Sequence, residues 1–146
     1  MAILNNRENN LLFELSPIAK NEFGFLCQIL LKTELITIDY GNSSENDRYI
    51  SYKNLNHIIN SLSKLNCIDN FIEEEEIIFD IYPIDMFMMF DVFKSNNNTL
   101  WVELKMPTGV FTNGKISGYF IAFNFWVNLE NFKIFIQEFI HECQSF

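Results

Sequence analysis

Apolar and polar residues alternate along this chain in two rhythms, and the change from one to the other marks its elements. LLFELSPI at 11–18 has the length and branching of a strand, with Pro17 marking its end or an edge position. From Phe25 to Tyr40 an apolar run is broken by Lys32, Thr33 and Glu34, after which Ile36, Ile38 and Tyr40 share one face, so two strands or one bent strand are expected. GNSSENDR at 41–48 combines turn-favouring residues with no apolar one and reads as an exposed loop. The period then lengthens. Leu55, Ile58, Ile59, Leu62 and Leu65 fall at helical spacing with Asn and Ser opposite them, which predicts an amphipathic helix near 53–65.

Three strands follow, Ile77–Tyr82, Met86–Phe93 and Thr99–Met106, joined through Pro83 and the SNNN turn at 95–98 into an antiparallel meander. Asn113-Gly114 signals a two-residue hairpin, because a type I′ turn needs positive φ at both central positions. In Ile116–Val127 one face carries Tyr119, Ile121, Phe123, Phe125 and Val127, and the other Phe120, Ala122, Asn124 and Trp126. With Asn124 the one polar side chain among the second set, a central strand at least partly covered on both sides is expected. Leu129, Phe132, Phe135, Ile136, Phe139, Ile140 and Cys143 then make the stripe of a closing helix, 129–143. Ile121, Phe123, Phe125, Phe132, Phe135 and Phe139 are the expected core cluster.

The fold class is therefore α+β, a largely antiparallel β-sheet with two amphipathic helices. Residues 49–62 and 122–136 both run from a strand-like stretch through Asn-Leu into a helix, pairing Asn54-Leu55 with Asn128-Leu129. This is a weak internal strand-strand-helix repeat. The 146 residues suffice for a single domain, 1–146, with residues 1–10 as a flexible N-terminal segment.

Composition narrows the function classes. With 49% hydrophobic residues and a net charge of −9, the chain folds rather than staying disordered, and 19 acids against 10 bases disfavour direct nucleic-acid binding. A basic protein partner is expected instead. No apolar stretch is long enough for a membrane span, no export signal is visible, and three widely spaced cysteines, Cys27, Cys67 and Cys143, fit a cytoplasmic protein with reduced thiols.

Candidate chemistry is sparse. Gly109 to Ile116 resembles a phosphate-binding loop, but Ile116 replaces the required Ser or Thr and a strand pattern follows where a helix should begin. The loop is therefore an ordinary hairpin and Lys115 a surface lysine. His57 and His141 lie off their helices' apolar stripes and read as solvated. No zinc-ligand spacing occurs. Asp80, Asp85, Asp91 and Glu103 could form a carboxylate or Mg²⁺ site only through an unknown strand register, so a structural role is favoured. No cofactor, metal or turnover is expected.

The strongest electrostatic feature lies between Lys64 and Lys94, where Asp69, Glu73, Glu74, Glu75, Glu76, Asp80, Asp85 and Asp91 accumulate with no basic residue. Such a block either steers a basic partner or solubilises an edge strand. The expected partner-binding residues are Asp69, Phe71, Glu73, Glu74, Glu75, Glu76, Asp80, Tyr82 and Asp85, with Phe71 and Tyr82 as aromatic anchors.

LLFELSPI, the Asn-Leu helix near residue 55, IYPIDMFMMFDVF, GKISGYFIAFNFWV and NLENFKIFIQEFI together resemble the WapI-like bacterial immunity proteins over most of 11–143. The resemblance implies a small cytoplasmic protein that neutralises the C-terminal toxin domain of a WapA- or Rhs-type polymorphic or contact-dependent toxin, a nuclease being one activity that an acidic surface would complement. No contact residue carries over from the family. The alternative is a phage or mobile-element anti-defence protein that mimics nucleic acid with its carboxylates, and a small enzyme ranks last.

Overall fold

In the computed structural model, residues 1–40, 49–66, 76–82, 88–96, 98–107, 110–112, 115–117 and 120–146 are described. Two antiparallel sheets and two helices form the predicted α+β architecture, with the strands divided between separate sheets. The first sheet takes β1 (Ala2–Asn5), β2 (Leu11–Lys20), β3 (Gly24–Thr33) and β4 (Thr37–Tyr40) in chain order, and β5 (Tyr49–Ser51) pairs with the far end of β3. The second runs β11-β8-β7-β6, built from β6 (Ile77–Ile81), β7 (Met89–Asn96), β8 (Thr99–Pro107) and β11 (Phe120–Asn128). Between β8 and β11, β9 (Val110–Thr112) and β10 (Lys115–Ser117) pair in a two-stranded ribbon. Thr112 faces Lys115 across the ribbon, and the turn expected at Asn113-Gly114 lies outside the described residues.

Several boundaries differ from the sequence reading for physical reasons. Residues 1–10, expected to be flexible, contribute edge strand β1, because Ala2 and Leu4 point inward and are fully buried. Pro17 neither ends β2 nor sits on the sheet's outermost strand. It lies beyond β1's reach, so its missing N–H has no strand to satisfy on that side, and a bulge between Pro17 and Ala19 absorbs the irregularity. The stretch 116–127 is two strands, β10 and β11. β11 is an edge strand, not a central one, and Ala122, Asn124 and Trp126 face outward and are exposed.

Each sheet is followed directly by a helix, α1 (Tyr52–Leu65) after β5 and α2 (Leu129–Gln144) after β11, so the two halves repeat in outline. The Asn-Leu alignment is three residues out of step. Asn128 is the N-cap of α2, its side chain accepting from Glu130 N, whereas Ser51 caps α1 by accepting from Asn54 N. Leu55, Ile58, Ser61 and Leu65 bury the inner stripe of α1, and the seven predicted stripe residues of α2 are all buried.

The core is aromatic. Phe132 meets Phe79 edge-on at 5.1 Å and stacks on Phe90 at 6.2 Å, while Phe13 of the first sheet reaches Phe90 at 5.4 Å and Phe135 at 6.0 Å. Phe125 and Phe139 are buried as expected, and Phe123 and Ile121 are half-buried toward the sheet's end. Because Phe135 joins α2 to the first sheet at full burial, Phe135→Ala should lower unfolding free energy by about 3–5 kcal/mol. Denaturant titration checks this, and an unchanged midpoint would mean that the helix stripe does not carry the core.

Candidate functional site

Strand register places the chemistry on the outer face of the second sheet. Asp80 on β6 lies opposite Asp91 on β7, Asp91 opposite Glu103 on β8, and Glu103 opposite Asn124 on β11. Adjacent strands lie about 4.8 Å apart, so the three carboxylate residues form a row about 10 Å long. They face away from the core because Phe79, Ile81, Phe90, Val92, Val102 and Leu104 take the alternate positions and are buried. Like charges directly opposed in a sheet repel, and each member of this row has its own donor.

His57 Nε2 meets Asp80 Oδ1 at 2.5 Å, the Tyr82 hydroxyl donates to Asp91 Oδ1, and Trp101 Nε1 donates to Glu103 Oε1 at 3.3 Å. Helix α1 supplies the histidine because it packs beside β6, where Asn54, one turn before His57, also donates to the Tyr82 carbonyl. The polar side of α1 thus covers the free edge of β6. His57 is exposed as expected, with 57% of its side chain accessible, but it is also the partner of Asp80. Tyr82 has its phenol pKa pushed up, first by burial and then by the hydrogen bond and charge of Asp91, so it is held as a donor.

Two residues along β7, β8 and β11, and three along bulged β6, lies an apolar row on the same face, Ile77, Phe93, Trp101 and Trp126, set by the pairs Ile77 with Phe93, Phe93 with Trp101, and Trp101 with Trp126. Ile77 rather than Ile78 shares the face of Asp80, because a bulge between Ile77 and Phe79 turns Ile78 into the core. The Trp101 and Trp126 rings lie 4.6 Å apart, and Trp126 is 39% exposed at the sheet's edge. Exposed Lys105 lies in the row on the other side of the carboxylates.

Of the residues expected to bind a partner, Asp80 and Tyr82 belong to this face, and Glu76 is exposed just before β6. Asp69, Phe71, Glu73, Glu74, Glu75 and Asp85 lie outside the described residues. Asp91 and Glu103 join the row through pairing that sequence alone does not reveal, and Trp101 and Trp126 supply aromatic surface from outside the acidic block. Their signal was the alternation itself, since both tryptophans fall on positions opposite the core. Among the described residues no cluster of three or more His, Cys, Asp or Glu is placed to hold a metal ion. No described helix is long and apolar enough to cross a membrane. No protein-family model, curated protein or solved structure matches the chain.

The Tyr82 phenol gives a pH prediction whose sign follows from its shift. A group whose folded pKa is raised stabilises the fold fully below its unfolded value, near 10, and loses that contribution as pH rises through the folded value. Stability should therefore fall from about pH 10 upward, and Tyr82→Phe should remove part of the fall. Denaturant midpoints of both proteins across the alkaline range check this, and parallel curves would refute it.

Proposed function

We propose that the protein is a binding module that neutralises a basic protein partner by covering it with the outer face of the second sheet, and that the partner is a bacterial toxin domain of the polymorphic or contact-dependent class. In this reading the chain is an immunity protein acting in the cytoplasm, without a catalytic step of its own. The observation that carries it is the register-aligned row Asp80, Asp91 and Glu103 lying against the exposed edge of the Trp101 and Trp126 pair. Carboxylates steer a basic surface into place, and a large ring beside them supplies the contact that slows dissociation. The sequence resemblance to WapI-like immunity proteins points the same way, and a nuclease toxin, basic because it grips phosphate, would be a fitting target.

Nucleic-acid mimicry is supported less well by this face. A mimic needs carboxylates spread over a length comparable to a duplex turn of about 34 Å, whereas this row spans about 10 Å.

The test is co-expression with the toxin domain encoded beside this chain's gene. Asp80→Lys with Glu103→Lys should slow association and flatten its salt dependence while leaving the fold intact. Trp126→Ala should speed dissociation and weaken binding by about 2 kcal/mol, roughly 30-fold. Growth protection and binding kinetics at two salt concentrations read both effects. Undiminished protection by both folded variants, or the absence of any toxin domain that the parent protects against, would overturn the proposal.

A further inference from the structure

Among the described residues one charged side chain is buried, Glu14 in the middle of β2, at 7% exposure. Its neighbours Phe13 and Leu15 point into the aromatic core, so alternation directs Glu14 to the outer face of the first sheet. There it lies between Ile3 of β1 and Leu30 of β3, with Leu12 and Ser16 on either side along its own strand. Its described hydrogen bond comes from the Ser16 hydroxyl at 3.4 Å, a long contact from a neutral donor. No described hydrogen bond or ion pair joins it to a nearby cation, although the charge of the Met1 amine acts on it through space. The Met1 amine is engaged by Glu142 at 2.5 Å, and no described ion pair joins Glu14 to Lys32, its diagonal neighbour across β3.

A carboxylate withdrawn from water and left with one weak hydroxyl donor is unfavourable for the isolated fold, since buried charges are ordinarily paired. Such a penalty turns into affinity if the compensating charge arrives from outside. We propose that the outer face of β1 to β4 is a second docking surface, for a protein partner that places an arginine side chain on Glu14 between Ile3, Leu12 and Leu30.

Charge and chemistry select that occupant. A guanidinium is weakly hydrated, can lie flat on aliphatic side chains and can meet a carboxylate with two parallel hydrogen bonds. Exposed Asp39, across Leu30 from Glu14, adds negative potential at the rim. A second copy of this chain is disfavoured, because a two-fold contact centred here would set Glu14 against Glu14. The surface lies on the other sheet from the row of Asp80, Asp91 and Glu103, and it stands or falls independently of the reading proposed for that row.

Glu14→Gln keeps the shape and removes the charge. The thermal midpoint of the variant should equal or exceed the parent's by a few degrees, because a buried carboxylate with only a long neutral hydrogen bond is gone. The binding probe is the acetylated, amidated tripeptide Leu-Arg-Leu, with Leu-Gln-Leu as its control, titrated against the parent while the Ile3, Leu12 and Leu30 methyl resonances are followed. Saturable shifts with the arginine peptide, lost in Glu14→Gln and retained in the Asp80→Lys, Glu103→Lys variant, are expected. A lowered midpoint or failure of Glu14→Gln to fold would assign the carboxylate an internal structural role and overturn the proposal. So would an absence of saturable shifts, or equal shifts from the two peptides.

Discussion

Both sheets depend on one helix stripe. Phe132 and Phe135 are neighbours on α2, yet Phe132 faces Phe79 and Phe90 of the second sheet while Phe135 faces Phe13 of the first. Edge-to-face and offset contacts of this kind contribute about 0.5–1.5 kcal/mol beyond the area they bury. Their larger effect is geometric, because one helix satisfies the inner faces of two sheets at once. Among the described elements, that leaves each sheet with a face that does not pack against the helices. The inner faces are committed to holding the molecule together, so contact with a partner would fall to the outer ones.

On the second sheet the outer face carries an electrostatic strain that the fold contains locally. Asp80, Asp91 and Glu103 sit on successive strands in direct register, an arrangement that destabilises a sheet unless the charges are otherwise engaged. His57, Tyr82 and Trp101 engage them, one donor to each carboxylate. Two of the three donors come from outside the ladder, from α1 and from the residue after β6, so the row is tied to the helix that covers the β6 edge. At the opposite edge, the Arg7 N–H donates to the Trp126 carbonyl at 2.8 Å, which joins the β1–β2 connection to β11 beside the exposed indole. The face is thus anchored at both margins, which favours a preformed surface over one assembled on contact.

Much of this was legible in the chain, and the parts that were not share a cause. The two helices, the meander of β6 to β8 and the inward face of β11 follow from periodicity, because each element must bury one side of itself. The position of β11 at an edge does not follow, since Phe120, Ala122 and Trp126 look coverable until something is found to cover them. Trp126 stays partly exposed because no described strand lies beyond β11 in its sheet. The row of carboxylates was hidden for a related reason. Asp80, Asp91 and Glu103 are scattered in sequence and meet only through register, which a bulge at Ile78 alters by one residue. The acid-rich stretch reaches the row only through Asp80 and Asp91, and Glu103 joins it through pairing alone.

The division of labour among aromatic residues sharpens the reading of the outer face. Phenylalanine has no polar atom, and Phe13, Phe79, Phe90, Phe132, Phe135 and Phe139 are all fully inside. Tryptophan and tyrosine carry an N–H or O–H that must find a partner, and on this sheet Trp101 and Tyr82 find theirs in the carboxylates of the outer row. Those bonds hold the rings in fixed orientations beside half-buried acids, so a cationic group arriving there meets charge that is already partly desolvated. Attraction is stronger in that setting than between fully solvated ions, and the side-chain entropy cost of ordering the surface has been met in folding. An acidic patch of mobile side chains would offer only long-range steering. An acidic row locked to aromatic rings can also retain what it attracts.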